Sequence, residues 1–218
     1  NSSVTDISLV SGNGKIRISS ISVKNGSAEN INISKDDTVF ISAGSMVANF
    51  TAGSMDEAPA NISERTDSSW ALWEKLAQFS PEFGRPSVFN SDIDRTKWVS
   101  FTLTLKDPLF IELLEKITKR KAGTEGPVTI TDSNWFISFA LPYHPHFKNQ
   151  PENVNLLWGY GLRPDEQGNF VKKKMTECTG REILTELLYH LKFEEHLDHI
   201  ISSSVCIPCL MPYITSQF

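Results

Sequence analysis

Trp98-Val99-Ser100-Phe101-Thr102-Leu103-Thr104-Leu105 alternates large apolar side chains with small hydroxyl-bearing ones. After Lys106-Asp107 the pattern changes to Pro108-Leu109-Phe110-Ile111-Glu112-Leu113-Leu114-Glu115-Lys116-Ile117-Thr118-Lys119. A period of two predicts a strand with one buried face, and a period near 3.6 predicts an amphipathic helix. The helix starts on a proline, where no amide partner is lost, and closes on Lys119-Arg120-Lys121 and Gly123, where basic groups suit the negative end of the dipole. The switch decides the class as α/β (α+β mixed).

Outward from it the signals repeat. Upstream, Val4 to Val10 and Lys15 to Val23 alternate and are broken by Ser11-Gly12-Asn13-Gly14, and Asn25-Gly26 follows as a hairpin turn. Thr38-Val39-Phe40-Ile41-Ser42-Ala43-Gly44-Ser45 reads as a short β-branched strand whose small end lets a backbone approach a ligand. Trp70-Ala71-Leu72-Trp73-Glu74-Lys75-Leu76-Ala77, after Ser68-Ser69, predicts a helix that ends before Gly84-Arg85-Pro86. Downstream, strands are expected at Val128 to Thr131, Trp135 to Leu141 and Val154 to Tyr160, with a proline-stiffened connection through Pro142, Pro145 and Pro151. Thr179 with Glu182 forms a capping box that opens a helix faced by Leu184, Leu187, Leu188 and Leu191.

The 218 residues, 39% hydrophobic, suffice for a substantial core, and the net charge of -5 leaves only two short basic clusters, Lys119-Arg120-Lys121 and Lys172-Lys173-Lys174. No nucleic acid is expected as a partner. No apolar run approaches the roughly 18 residues of a membrane span. Three cysteines point away from a disulfide framework and toward a reducing, cytoplasmic setting, and without a secretory signal the five Asn-x-Ser/Thr sequons are read as chance in a Ser/Asn-rich region. The last residues, Pro212-Tyr213-Ile214-Thr215-Ser216-Gln217-Phe218, are apolar and hydroxyl-rich where domain ends are usually polar, which predicts a piece of something longer.

Two spacings could carry chemistry. Cys206-Ile207-Pro208-Cys209 has the separation of a redox or metal pair, but no helix start follows it and Cys178 alone cannot complete a zinc site, so buried structural thiols are expected. His144-Pro145-His146 holds two imidazoles on a stiff segment that could bind a metal or an anionic head group, or could simply be a turn. The helix histidines, beside Lys192, Glu194, Glu195 and Asp198, are expected on a solvated face. There is no Gly-x-Gly-x-x-Gly after an opening strand, no Gly-x-Ser-x-Gly elbow and no P-loop.

Longer blocks are more specific. Gly44-Ser45-Met46, Gly53-Ser54-Met55-Asp56, Trp70-Ala71-Leu72-Trp73, the Trp98 to Asp107 run, Asp132-Ser133-Asn134-Trp135, His146-Phe147, Gln150-Pro151, Trp158-Gly159-Tyr160-Gly161-Leu162, Glu177-Cys178-Thr179-Gly180 and Cys206 to Phe218 stand in order along the chain. In this it resembles the oleate hydratases, also called myosin-cross-reactive antigens.

The resemblance implies an FAD-binding Rossmann-like flavoprotein fold interleaved with a β-sheet-rich substrate domain. Residues 1–60 and 156–218 would belong to the FAD side and 61–155 to the substrate side. The implied reaction adds water to the cis double bond of oleate, or of linoleate, with FAD bound but not used for net redox. The implied protein is a homodimer and leaves room for peripheral contact with a membrane.

FAD contacts are implied at Val4, at Ser42, Ala43, Gly44 and Ser45, and at Thr215, Ser216 and Gln217. The glycine-rich loop and the catalytic acid and tyrosine would precede Asn1, so this piece alone would be inactive. The Ser138 to Phe147 block is similar to the segment that anchors the substrate carboxylate. Ala140 and Pro142 replace the threonine and asparagine of well-known members, and neither can hydrogen-bond a carboxylate, so recognition would fall to Tyr143, His144 or His146. A flavin-dependent fatty acid oxidoreductase or isomerase, and a non-catalytic fatty acid binder on the same scaffold, remain as alternatives.

Overall fold

The computed structural model describes residues 2–66 and 68–213. Contacts group the chain into two compact units, Asn1–Met46 with Thr66–Asp92, and Val47–Arg65 with Ile93–Phe218. Both mix helix with sheet, as expected, and every strand pairing among the described residues is antiparallel.

In the first unit, β1 (Ser3–Gly12), β2 (Lys15–Asn25) and β3 (Ser27–Asn32) form a meander. Asn13 and Gly14 both take positive φ, 51° and 68°, which is the backbone twist a two-residue hairpin needs. The β1–β2 register shifts between Val4 and Asp6 and again between Ser8 and Leu9. These bulges keep the aliphatic set on one face: Val4 opposes Val23, Ile7 opposes Ile21, Leu9 opposes Ile18, and Ile21 opposes Ile31. None of these side chains is fully buried.

The expected strand at Thr38 to Ser45 does not form. Its β-branched residues have no neighbouring strand to pair with among the described residues, and Phe40 is 92% exposed. The helix α1 (Ala71–Phe79) does form, but Trp70 rather than a serine occupies its N-cap, without a side-chain cap. Trp70 is buried and stacks on Trp73, which stacks in turn on Phe89, one residue before the end of α2 (Ser87–Asn90).

The second unit is built on a six-stranded sheet. Its strands are β4 (Thr51–Ala52), β5 (Trp98–Leu105), β6 (Val128–Thr129), β7 (Ile137–Ala140), β8 (Asn155–Gly161) and β9 (Ser204–Met211), in the order β4-β9-β5-β8-β7-β6. The helices are α3 (Ile93–Thr96), α4 (Leu109–Thr118), α5 (Gly180–His190) and α6 (Leu197–Ser202). The capping box at Thr179 and Glu182 is present, and α4 closes on Lys119, itself left-handed at φ 60°, rather than on Gly123.

Directly opposed residues share a face of the sheet. On one face Val99, Phe101, Leu103, Leu105, Ile137, Phe139, Leu157, Cys206 and Leu210 are all at most 1% exposed. The buried sides of α4 (Phe110, Leu114) and α5 (Ile183, Leu184, Leu187, Leu188) complete this core, each large side chain contributing about 2 kcal/mol of burial. Gly159 and Gly161 make room on the same face. A Cβ on Gly159 would lie 2.3 Å from the Phe101 ring, and one on Gly161 would lie 2.4 Å from Met175 Sδ.

The opposite face carries Ala140, Trp158, Tyr160, Thr102, Ile207 and Cys209, half-buried or exposed. Proline sits within β9 at Pro208 because its carbonyl, and therefore its missing N–H, points toward Gly53, where the two-residue β4 has already ended. Gly53 N donates to that carbonyl at 2.8 Å.

Candidate functional site

The strand β7 delivers Ala140 to its end, and the chain then turns through Leu141 to Val154 before β8. One side chain organises this turn. Gln150 Oε1 accepts from the backbone N–H of His146 at 2.8 Å and of Phe147 at 3.1 Å, while its Nε2 donates to Val154 O at 2.6 Å.

The three candidate head-group residues lie together on this turn but are not equivalent. His144 Nε2 lies 3.2 Å from Pro151 O, and since a carbonyl can only accept, Nε2 carries the proton. Nδ1 is then the one His144 ring nitrogen not committed to the turn. His146 packs edge-on against Phe147, with ring centroids 4.7 Å apart, and its ring nitrogens make no hydrogen bond among the described residues. Tyr143 is 71% exposed. His146 and the Tyr143 hydroxyl thus keep all their side-chain polar atoms uncommitted among the described residues, and His144 keeps one.

The basic turn after α4 packs against this segment. Gly123 has φ 79°, and a Cβ there would lie 2.9 Å from Tyr143 Cα and 3.1 Å from Pro142 O. Arg120, Lys121, Leu114, Phe139, Ala140 and Leu141 line a cleft of about 30 Å³. That holds a water or two and not an acyl chain. Arg120 Nε is paired with Glu125 Oε1 at 2.9 Å.

The segments expected to meet FAD are partly described. Val4 lies in β1, opposite Val23. Ser42, Ala43, Gly44 and Ser45 enter no ladder, so their main-chain groups are not committed to a sheet. Gly44 takes φ 82°, and its α-carbon packs on the Trp70 ring so closely that a Cβ would lie 2.7 Å from it. Small residues with uncommitted amides fit a backbone-held cofactor. Thr215, Ser216 and Gln217 lie outside the described residues.

The cysteines behave as structural thiols. Burial, with Glu182 nearby, pushes Cys178 up to about 12. Burial, with Cys209 beside it, does the same to Cys206. No group of three or more His, Cys, Asp or Glu side chains among the described residues could hold a metal.

Sequence reasoning missed one polar centre. Glu186, wholly buried on α5, accepts three consecutive backbone N–H groups: Asn169 at 2.6 Å on Oε1, and Phe170 at 2.9 Å and Val171 at 2.8 Å on Oε2. His190 Nε2 lies 3.4 Å from Oε1, and its side chain is 5% exposed rather than on a solvated face. Asn169 continues outward, donating to Asp132 O and accepting from Asn134 N, and Trp135 Nε1 donates to Glu166 O. The network ties the Asp132 to Trp135 turn, which leads into β7, to the loop after β8. The available signal was a glutamate and a histidine four apart inside an otherwise apolar helix face.

The family model described as "MCRA family" matches residues 1–218. The chain is 42% identical to an oleate hydratase of Streptococcus pyogenes serotype M49 (strain NZ131), over 99% of its own length and 38% of the relative's. It is 32% identical to a linoleate hydratase of Lactiplantibacillus plantarum, over 88% of its own length and 37% of the relative's. The chain therefore spans well under half of the curated relatives it matches. With its whole length matched, the chain belongs to the MCRA family.

Proposed function

We propose that the whole protein to which this chain belongs hydrates unsaturated fatty acids, adding water to the cis double bond of oleate to give 10-hydroxystearate. The observation that carries this reading is the similarity of most of the chain to relatives named for hydrating oleate and linoleate. Hydration needs an acid and an activated water on opposite sides of the alkene. In this reading the acid and the water-activating group come from the rest of the protein, and the chain's part is to bind and to enclose.

In this reading the Tyr143 to His146 turn meets the substrate carboxylate, with His146 and Tyr143 as the contacting residues and His144 bracing the turn through Pro151. FAD is the cofactor, bound in a Rossmann-like domain completed by the rest of the protein. Val4, Ser42 to Ser45 and Thr215 to Gln217 are its contacts from this chain. FAD supplies organisation of the site and stabilisation of developing charge, without net redox. The protein works in the cytoplasm as a homodimer, with room for peripheral membrane contact. No helix among the described residues is long and apolar enough to cross a membrane.

The test is product analysis of the whole protein incubated with oleate, with FAD present and absent. The expected product is a hydroxy acid that has gained one water, with the flavin spectrum unchanged over many turnovers. A product differing by two hydrogens, or by a shifted double bond alone, would replace hydration with oxidoreduction or isomerisation. Binding without any product would leave a fatty acid carrier.

A further inference from the structure

After β8 the segment from Gln167 to Lys174 folds back on itself: Gly168 N donates to Lys173 O at 2.9 Å, and Gln167 bridges to Lys174. This loop is strapped along α5 at three levels, one helical turn apart. At the helix start Lys173 Nζ pairs with Glu182. One turn on, Glu186 accepts the backbone N–H groups of Asn169, Phe170 and Val171. At the third level the Phe170 ring stacks on Tyr189 and meets His190 edge-on, with centroids 5.0 Å apart in both contacts. On its outer side the same loop holds the Asp132 to Trp135 turn. Asn169 bonds to Asp132 O and Asn134 N, and a Cβ on Gly168 would lie 2.8 Å from the Trp135 ring and 3.0 Å from Glu186 Oε2.

A wholly buried carboxylate needs a compensating partner. Lys173 is committed to Glu182, and the ionisable side chain in contact with Glu186 among the described residues is His190, its Nε2 3.4 Å from Oε1. That contact is unfinished. Nε2 is buried and makes no hydrogen bond, although buried polar atoms nearly always do. The two places an incoming proton can go have opposite effects. On the imidazole, it sets a cation beside the carboxylate, in the last turn of α5 where the helix dipole also favours positive charge. On the carboxyl, it turns an O–H toward amides that can only donate, and the strap loses an acceptor. An imidazole is ordinarily the more basic of the two groups, so the first proton fastens the strap and the second opens it. The other charged groups around the pair are Lys173 and Glu182 at the helix start, and Lys116, Lys192, Glu195 and His196, which line a groove together with His190. The Cys178 thiol, pushed up to about 12 chiefly by burial, adds no charge.

We propose that Glu186 and His190 form an acid-sensing latch on the Gln167 to Lys174 strap, which tightens when His190 takes a proton and releases, together with the Asp132 to Trp135 turn, when Glu186 does. Release frees the turn that leads into β7, so acid loosens one side of the second sheet while its centre stays closed. The latch is independent of the fatty acid reading.

The test is hydrogen exchange read by mass spectrometry on the whole protein, from neutral pH into acid, with rates corrected for the intrinsic effect of pH. In the unaltered protein the Asn169 to Val171 amides should be at least as protected in mild acid as at neutrality. Further into acid they should lose protection by at least about tenfold, in step with residues 132–135 and before β8 opens. His190→Gln keeps a donor in place of Nε2 but cannot carry the charge, and should release the strap at a higher pH than the unaltered protein. Glu186→Gln should exchange at 169–171 at least about tenfold faster at neutrality, with no further step in acid. If that variant does not fold, His190→Gln carries the test. Release at the same pH in His190→Gln and the unaltered protein overturns the proposal. So does a strap that opens without the 132–135 turn, or only together with β8.

Discussion

At the scale of single residues, Glu186 is a wholly buried acidic side chain held by three backbone amides. Its two oxygens face only donors: one backbone N–H on Oε1 and two on Oε2. A glutamine has one accepting oxygen and must turn its NH₂ toward N–H groups. Glu186→Gln is therefore not conservative here. It should destabilise the protein by about 2 kcal/mol or more, the cost of leaving buried donors unmet, read as a lower urea midpoint with unchanged slope. A midpoint within error of the unaltered protein would show that the loop can re-pair its amides. The thiols give a second residue-scale expectation. Burial raises Cys178 and Cys206 to about 12, so at about pH 8 almost none of either is thiolate. A thiol reagent should then modify at most Cys209 in the native protein and all three cysteines in denaturant. Rapid native labelling of Cys206 would restore a redox reading of Cys206-Ile207-Pro208-Cys209.

At the scale of elements, the capping box of α5 couples helix stability to pH. Partial burial, the largest single influence on Glu182, would raise its carboxyl, but the hydrogen bonds from Lys173 and from the Thr179 backbone outweigh it and hold the group below the usual carboxylate range. A carboxyl with a lower value folded than unfolded stabilises the folded state above its unfolded value. That contribution is lost as pH falls through the folded one. Thr179→Ala should cost about 1 kcal/mol near neutrality. The difference should shrink in acid, as pH falls through the lowered folded value and the Glu182 carboxyl takes up its proton. Urea titrations at the two pH values check this, and an equal loss at both would detach the cap from the carboxylate. The same helix start depends on close approach: a Cβ on Gly180 would lie 2.0 Å from Cys206 O, and its N–H donates to Ser54 O. Glycine stands there because β9 and the Ser54 turn leave no space.

At the scale of the whole molecule the two units should differ in local stability. The meander of β1, β2 and β3 has its aliphatic residues on one face without full burial, whereas β5, β8 and β9 carry side chains at or near zero exposure. Local opening follows buried contact. Amide exchange in β1 to β3 of this chain should therefore be at least about tenfold faster than in β5, β8 and β9. Equal protection across both sheets would contradict the half-buried state of the meander.

Periodicity and capping chemistry are local, and what depends on them was readable: the strand at Trp98 to Leu105, the helix after Pro108, the Asn13-Gly14 turn, the Thr179 and Glu182 box and the mixed class. The order of blocks likewise pointed to the family. What depends on partners distant in sequence was not readable. Thr38 to Ser45 has strand-like composition but lacks a neighbour, and a strand exists only through its ladder. His190 looks solvated among charged neighbours until packing places it beside Glu186, and Glu186 looks like an ordinary helix carboxylate until three amides converge on it. His144 and His146 look alike until one imidazole is committed to Pro151 O. The residues themselves determined the secondary elements, because backbone preference and apolar spacing act within a few positions. Only the tertiary structure decided which face of the sheet was sealed and which polar groups were consumed, because burial and hydrogen-bond partners are properties of the packed chain.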